Sequence, residues 1–376
     1  MDTEPVIRYG IIGTGLMGCE HIRNIAAIPG TSVAAIADPH PPSREAAQAS
    51  LPAGVVPPVE FSDYREMLRS GLIDAVVVST PNFTHASVLD DVFAIAPNLH
   101  VMVEKPLCTT IADAQRVITH VRTHKGIVWM GLEYRFMPPV AQFLRELTPE
   151  NIGSLKMISI REHRFPFLIK VGDWNRFTTN TGGTLVEKCC HFFDLMNLAT
   201  RSRPVRVYAS GGQDVNHLSE RYPGNPAGEV PDILDNAFVI VDYASGARGL
   251  LDLCMFAEAS KNEQELVGVG DRGKVESKVT EGTVVIGRRG TVRADGRPVG
   301  HSITELDASH DARVAHVGYH HGASYLEHLG FIEAVRKGTA PGVTVDEGLW
   351  SIAVGIAAHK SIDEGRPVLL SELGLT

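Results

Sequence analysis

Apolar positions in the first 130 residues alternate between short runs and helical stripes. Residues 6–12, 33–37, 73–79, 101–104 and 127–131 are short apolar runs, 73–79 also β-branched, and predict strands. Helical patterns fall between them over 20–28, 63–69, 85–96 and 112–123. In the first of these Ile22, Ile25 and Ala26 share a face, and Ser62 and Thr110 are the expected caps of the second and last. Strands and helices alternating at this spacing predict parallel strands joined by right-handed crossovers, a doubly wound sheet.

After about residue 130 the pattern changes. One long apolar helix over 183–199 precedes predicted strands at 205–210, 237–243, 248–255, 265–269 and 284–286. Turns at Ser245-Gly246 and Asp271-Arg272-Gly273 join some of them, which predicts a large, open, mainly antiparallel sheet. Helices over 323–337 and 347–364 complete an α+β domain. The expected division is a dinucleotide-binding domain over 1–130 and this α+β domain over 131–376.

The chain has 376 residues, and 35 Lys and Arg against 44 Asp and Glu give a net charge of −9. That balance removes the electrostatic motive for coating nucleic acid or an anionic membrane. No apolar run approaches the roughly 20 residues that span a bilayer. The start Met1-Asp-Thr-Glu-Pro5 lacks a basic and then apolar leader. Five cysteines, two of them adjacent, do not form a disulfide framework. The cytoplasm is the expected compartment.

Gly13-Thr14-Gly15-Leu16-Met17-Gly18 follows the first strand and opens a helix. Such a turn brings backbone N–H groups and a positive helix end to a pyrophosphate. Asp38 stands 20 residues after Gly18 at the end of the second strand. A carboxylate there accepts from a ribose 2′-hydroxyl and repels a 2′-phosphate, so NAD is expected over NADP, with Arg44 the one nearby cation. Thr80, Asn82 and His85 follow the third strand and Glu104-Lys105-Pro106 closes the fourth. Both sets are placed to line a cofactor cleft. On its own Lys105 reads first as a solvated lysine and second as a catalytic one, and His85 reads also as a helix-start histidine.

On a continuous helix Glu187, His191 and Asp194 lie at i, i+4 and i+7, one stripe among apolar neighbours. Buried ionisable groups require partners or a polar cleft. This stripe reads either as a satisfied core histidine or as a site. Cys189, Cys190 and His191 have the wrong helical spacing for zinc, and no metal site is expected. His316, His320 and His321 have helical metal-ligand spacing but no accompanying ligand segment. Gly268-x4-Gly273-Lys274 resembles a phosphate loop, yet Val275 stands where Ser or Thr is required, so it reads as a hairpin turn.

With these pieces in order, the whole chain resembles the Gfo/Idh/MocA oxidoreductase family. The resemblance rests on Gly13–Gly18, Thr80-Pro81-Asn82 with His85, Glu104-Lys105-Pro106, Tyr134-Arg135-Phe136 and the 182–194 segment. Glu187 stands where the family usually has Asp, one methylene longer, and Cys189 where it has a small residue. The resemblance implies a Rossmann domain holding NAD and a second domain for substrate binding and oligomerisation, a dimer or tetramer through its sheet. It implies oxidation or reduction of a secondary hydroxyl on a sugar, sugar derivative or cyclitol.

The expected roles follow from the chemistry of that reaction. His191 is the general base, Lys105 binds the substrate oxygen and Glu187 orients His191, with Asp194 a second orienting candidate. Arg135, Trp174 and Asn175 frame the substrate or cofactor, and His320 and His321 are further substrate contacts. Two alternatives share the motifs: a redox-assisted glycosidase retaining NAD, and a non-catalytic NAD-binding sensor.

Overall fold

The computed structural model describes residues 5–375. The expectation of no leader concerns residues 1–4 and lies outside them. The chain forms two compact units. The first takes the segment up to Glu133 together with Ile169–Gly182 and Ala312–Ile352, and the second takes the remainder.

In the first unit six parallel strands are ordered β3-β2-β1-β4-β5-β6. They are β1 (Ile7–Ile12), β2 (Thr31–Ala37), β3 (Val59–Phe61), β4 (Ala75–Val78), β5 (His100–Glu104) and β6 (Val128–Gly131). Every residue of β4 is buried, which is why it reads as an unbroken apolar run. Strand order reverses between β1 and β4, where ligands of such sheets bind. Thr110 caps Ile111–Val121 by accepting the Asp113 N–H at 3.1 Å. The cap of Tyr64–Arg69 is Asp63, not Ser62. Its extended backbone lets the carboxylate accept the Arg65 N–H at 2.9 Å. A further helix, Pro41–Ala49, buries only Ser43 and Ala47 and so has no apolar stripe to announce it.

The second unit carries a nine-stranded sheet. Seven of its members are β7 (Leu155–His163), β8 (Pro204–Gly212), β9 (Asn236–Tyr243), β10 (Arg248–Cys254), β11 (Gln264–Gly270), β12 (Gly273–Lys278) and β13 (Thr283–Arg288). The short strands β14 (Thr291–Val292) and β15 (Pro298–Val299) pair separately. With β16 (Ser302–Asp307) and β17 (Val368–Leu369), the order is β16-β13-β12-β11-β7-β10-β9-β8-β17. All pairings are antiparallel except β7 with β10. The phosphate-loop look-alike is the β11–β12 hairpin, with Gly268 opposite Val275.

One further expectation changes. The single helix over 183–199 is two, Thr184–Glu187 and Cys190–Thr200. At the break the Lys188 and Cys189 N–H groups both reach the Thr184 carbonyl, at 2.9 and 3.4 Å, one residue more than an α-helix allows for Cys189. His316, His320 and His321 lie not on a helix but in the irregular segment before Ala323–Lys337, the last two in a turn. Gly318 and Gly322, both with positive φ, interrupt any helical run there.

Candidate active site

A cleft of about 490 Å³ opens in the first unit at the carboxyl ends of its strands. Gly13, Gly15, Leu16, Met17, Asp38, Thr80, Asn82, Glu104, Lys105 and Trp174 line it. The three glycines differ in their reasons. Gly13 takes φ +86, and a Cβ there would press on the Ser79–Thr80 backbone. A Cβ on Gly15 would meet nothing within 4 Å, so the backbone is open to a ligand. A Cβ on Gly18 would run into the Gly13 carbonyl and prise the helix off the strand.

Asp38 is fixed by two backbone donors, Thr14 N–H and His40 N–H, each at 2.8 Å. Each carboxylate oxygen retains acceptor capacity for a ribose hydroxyl. Arg44, the nearby cation, donates to the Asp38 carbonyl at 2.6 Å and to Glu60 at 3.2 Å. An open glycine turn, an anchored acid and an engaged arginine fit the adenosine half of NAD.

His85 is fully buried behind this wall, its ring nitrogens 2.8 Å from the Pro106 carbonyl and 2.9 Å from that of Thr80. Burial pulls its pKa below the ordinary value. It braces the two cleft-lining segments and is not part of the lining. Asn175 is wholly buried, and His320 Nδ1 lies 3.6 Å from the buried Glu133. His321 adopts a left-handed φ of 54° beside it in sequence.

Lys105 stands at the end of β5, its N–H donating to the Glu104 carboxylate at 3.1 Å. The other Glu104 oxygen faces His21 Nε2 at 2.8 Å, and His21 Nδ1 faces His328 Nε2 at 2.9 Å. Burial pushes the Glu104 carboxyl up. The His21 hydrogen bond and the charges of His21 and Lys105 outweigh it and hold the group below its usual value. No local pattern links these residues, since His21 and His328 are 307 positions apart.

The second unit holds the other predicted cluster. Glu187, His191 and Asp194 are all buried. Arg135 grips Asp194 in a two-pronged pair at 2.6 and 2.5 Å, so this acid is committed to the guanidinium. The His191 ring stacks on Tyr134, centroids 3.9 Å apart and 6° from parallel. Tyr134 accepts from the buried Lys188 at 2.6 Å, and Lys188 pairs with Glu162 on β7 at 2.8 Å.

His359 Nε2 accepts the Leu185 N–H at 3.1 Å, pinning the start of the Glu187 helix. Burial lowers its pKa to about 4, so the ring stays a neutral acceptor. Gly183 is required there because a Cβ would strike that ring. Among the described residues no group of three His, Cys, Asp or Glu is arranged to hold a metal. No described helix is long and apolar enough to cross a membrane.

Comparison with known proteins agrees with this geometry. Residues 7–132 match an oxidoreductase family's NAD-binding Rossmann fold, and residues 145–370 match the same family's C-terminal alpha/beta domain. The chain is 26% identical over 371 residues to a myo-inositol 2-dehydrogenase of Thermotoga maritima, covering 98% of this chain and 99% of that one. It is 26% identical over 370 residues to an NAD(+)-dependent scyllo-inositol 2-dehydrogenase of Bacillus subtilis, covering 98% and 97%. An Agrobacterium radiobacter oxidoreductase solved with NAD+, L-tartaric acid and magnesium shares the fold, with TM-score 0.78, 16% identity and 98% and 99% coverage.

Proposed function

Because this chain belongs to the Gfo/Idh/MocA oxidoreductase family and is an NAD-dependent dehydrogenase acting on CH–OH, we propose that its substrate is a ring polyol. The class is a sugar, sugar derivative or cyclitol, changed at one secondary hydroxyl. The observation that carries the reading is Lys105 on the wall of the cleft formed by the Gly13–Met17 turn and Asp38. An ammonium at that place meets a reacting oxygen beside the cofactor.

Bound NAD supplies the two-electron acceptor. His191 takes the hydroxyl proton, and Lys105 donates to the same oxygen and stabilises its developing negative charge. Glu187 orients His191. Arg135 has its planar fork occupied by Asp194 and contributes by shaping the site around His191. Trp174, His320 and His321 complete the substrate or cofactor contacts, while Asn175, next to Trp174 in sequence, is wholly buried. In this reading residues 1–130 supply most of the cofactor site, and 131–376 serve substrate binding and self-association.

Self-association is assigned to the outward sheet face. By register, Tyr208, Phe238, Ile240 and Leu250 share one face and are exposed, Phe238 by 61%. An apolar patch of this kind on a sheet fits a second copy. A single-protomer mass in sedimentation at micromolar concentration would contradict it.

The reaction is tested by product mass. Incubation with NAD and a polyol should yield a product lighter by two hydrogens, a ketone. A product split by water, with no free NADH, would instead establish the redox-assisted glycosidase.

Asp38 sets cofactor choice. Asp38→Ala should narrow the preference for NAD over NADP by about tenfold or more, through lost like-charge repulsion of the 2′-phosphate. The measurement is kcat/KM with each cofactor, and equal wild-type values would sink the assignment.

A further inference from the structure

Beneath the base lies a charge that the reaction itself does not use. Lys188 is nine-tenths or more buried, as is Glu162, and their side chains meet at 2.8 Å. The ammonium also donates to Tyr134 Oη at 2.6 Å and lies 4.9 Å from the centroid of that ring. The same ring carries His191, stacked at 3.9 Å. Gln264 Nε2 donates to the same phenol oxygen at 3.3 Å, fixing the ring from a second side. A buried cation is costly to maintain, and apolar side chains would fill this place at less cost.

We propose that Lys188 is a positioning residue for the base, its buried ammonium at the Tyr134 hydroxyl setting the protonation midpoint of the His191 ring stacked on that tyrosine. This deepens the proposed function and rests on His191 as the base. A fixed positive charge held at one edge of an aromatic ring disfavours imidazolium stacked on that ring. It keeps His191 neutral, the form that accepts a proton. Glu162 tempers the effect, and Arg164 at 3.3 Å from Glu162 adds to it.

Charged and titratable groups reach this assembly from several elements. β7 and its continuation bring Glu162 and Arg164, with Glu263 at 3.8 Å from Arg164. The helix Thr184–Glu187 ends in Glu187, and Cys190–Thr200 carries Asp194, neutralised by Arg135. The Cys189 thiol is pushed up by burial and stays uncharged. Burial and the neighbouring Arg164 lower Lys188 itself, while Glu162 favours its charged form.

The test is the titration of the His191 ring by carbon-13 NMR in histidine-labelled full-length protein, the resonance assigned by its loss in His191→Asn. Lys188→Met keeps the length of the side chain and removes the charge. It should raise the midpoint by about one pH unit, the size of a unit charge acting through an effective dielectric of about 20 to 40 over these separations. Glu162→Gln removes the negative charge that tempers Lys188 and should lower the midpoint. Lys188→Met with Glu162→Gln removes both charges, leaves no orphaned ion and should return it to near the wild-type value.

Should Lys188→Met not fold, Glu162→Gln decides alone, since an unmoved midpoint there contradicts the proposal. An unmoved midpoint in folded Lys188→Met, or a double variant displaced as far as the single one, would also overturn it. The NMR midpoint belongs to His191 whether or not it is the base. If His191→Asn turns over normally, the base assignment fails, and that outcome is read separately from this one.

Discussion

Replacement of His191 by Asn lowers kcat by about 10²–10⁴-fold while the protein remains folded, because an amide cannot accept the hydroxyl proton. A merely packed histidine would behave in the opposite way. His191 stacks on Tyr134 in a buried setting, so its loss would cost stability and leave the turnover of folded protein unchanged. In the wild type the oxidation rate should rise with pH through one ionisation, as imidazolium gives way to the neutral base. That limb should vanish in His191→Asn. Glu187→Gln should have a smaller effect, since it retains shape and some hydrogen bonding but removes the charge that favours imidazolium. Rates measured across pH, with melting curves beside them, separate the two behaviours.

Lys105→Ala should lower kcat by roughly 10²-fold or more, the scale of losing one charged donor to the reacting oxygen. NAD affinity should change much less, because the Gly13–Gly18 turn and Asp38 remain intact. The backbone at this position is separately held by the Glu104 carboxylate. Truncating the side chain therefore leaves the strand end in place. Single-turnover kinetics and cofactor titration check both halves. A variant with near-normal kcat returns Lys105 to a solvated side chain at the cleft edge.

Where the sequence was legible, local rules agreed with the fold. Every residue of β4 packs on both faces, so its apolar run announced it, and the glycine turn and Asp38 carry their spacing within one βαβ unit. β7 was not legible. It lies between β11 and β10 within the sheet, yet Lys156, Arg161, Glu162 and His163 break its apolar pattern. Glu162 is polar for a reason that appears only in three dimensions, its partner being Lys188. That pair accompanies the break in the helix expected over 183–199, where Lys188 turns inward. The His21–Glu104–His328 chain was silent because its members are 83 and 307 residues apart. Glu187, His191 and Lys105 were readable as candidates because each sits beside a short motif. The engagement of Asp194 by Arg135 was not, since nothing local pairs residues 59 positions apart.

The most direct test of the account is absorbance at 340 nm when purified protein and NAD meet a panel of sugars and cyclitols. The account predicts sustained accumulation of free NADH, many equivalents per protomer, with at least one ring polyol, and much less with NADP. Folded protein that binds NAD yet forms no NADH with any member of the panel would contradict it.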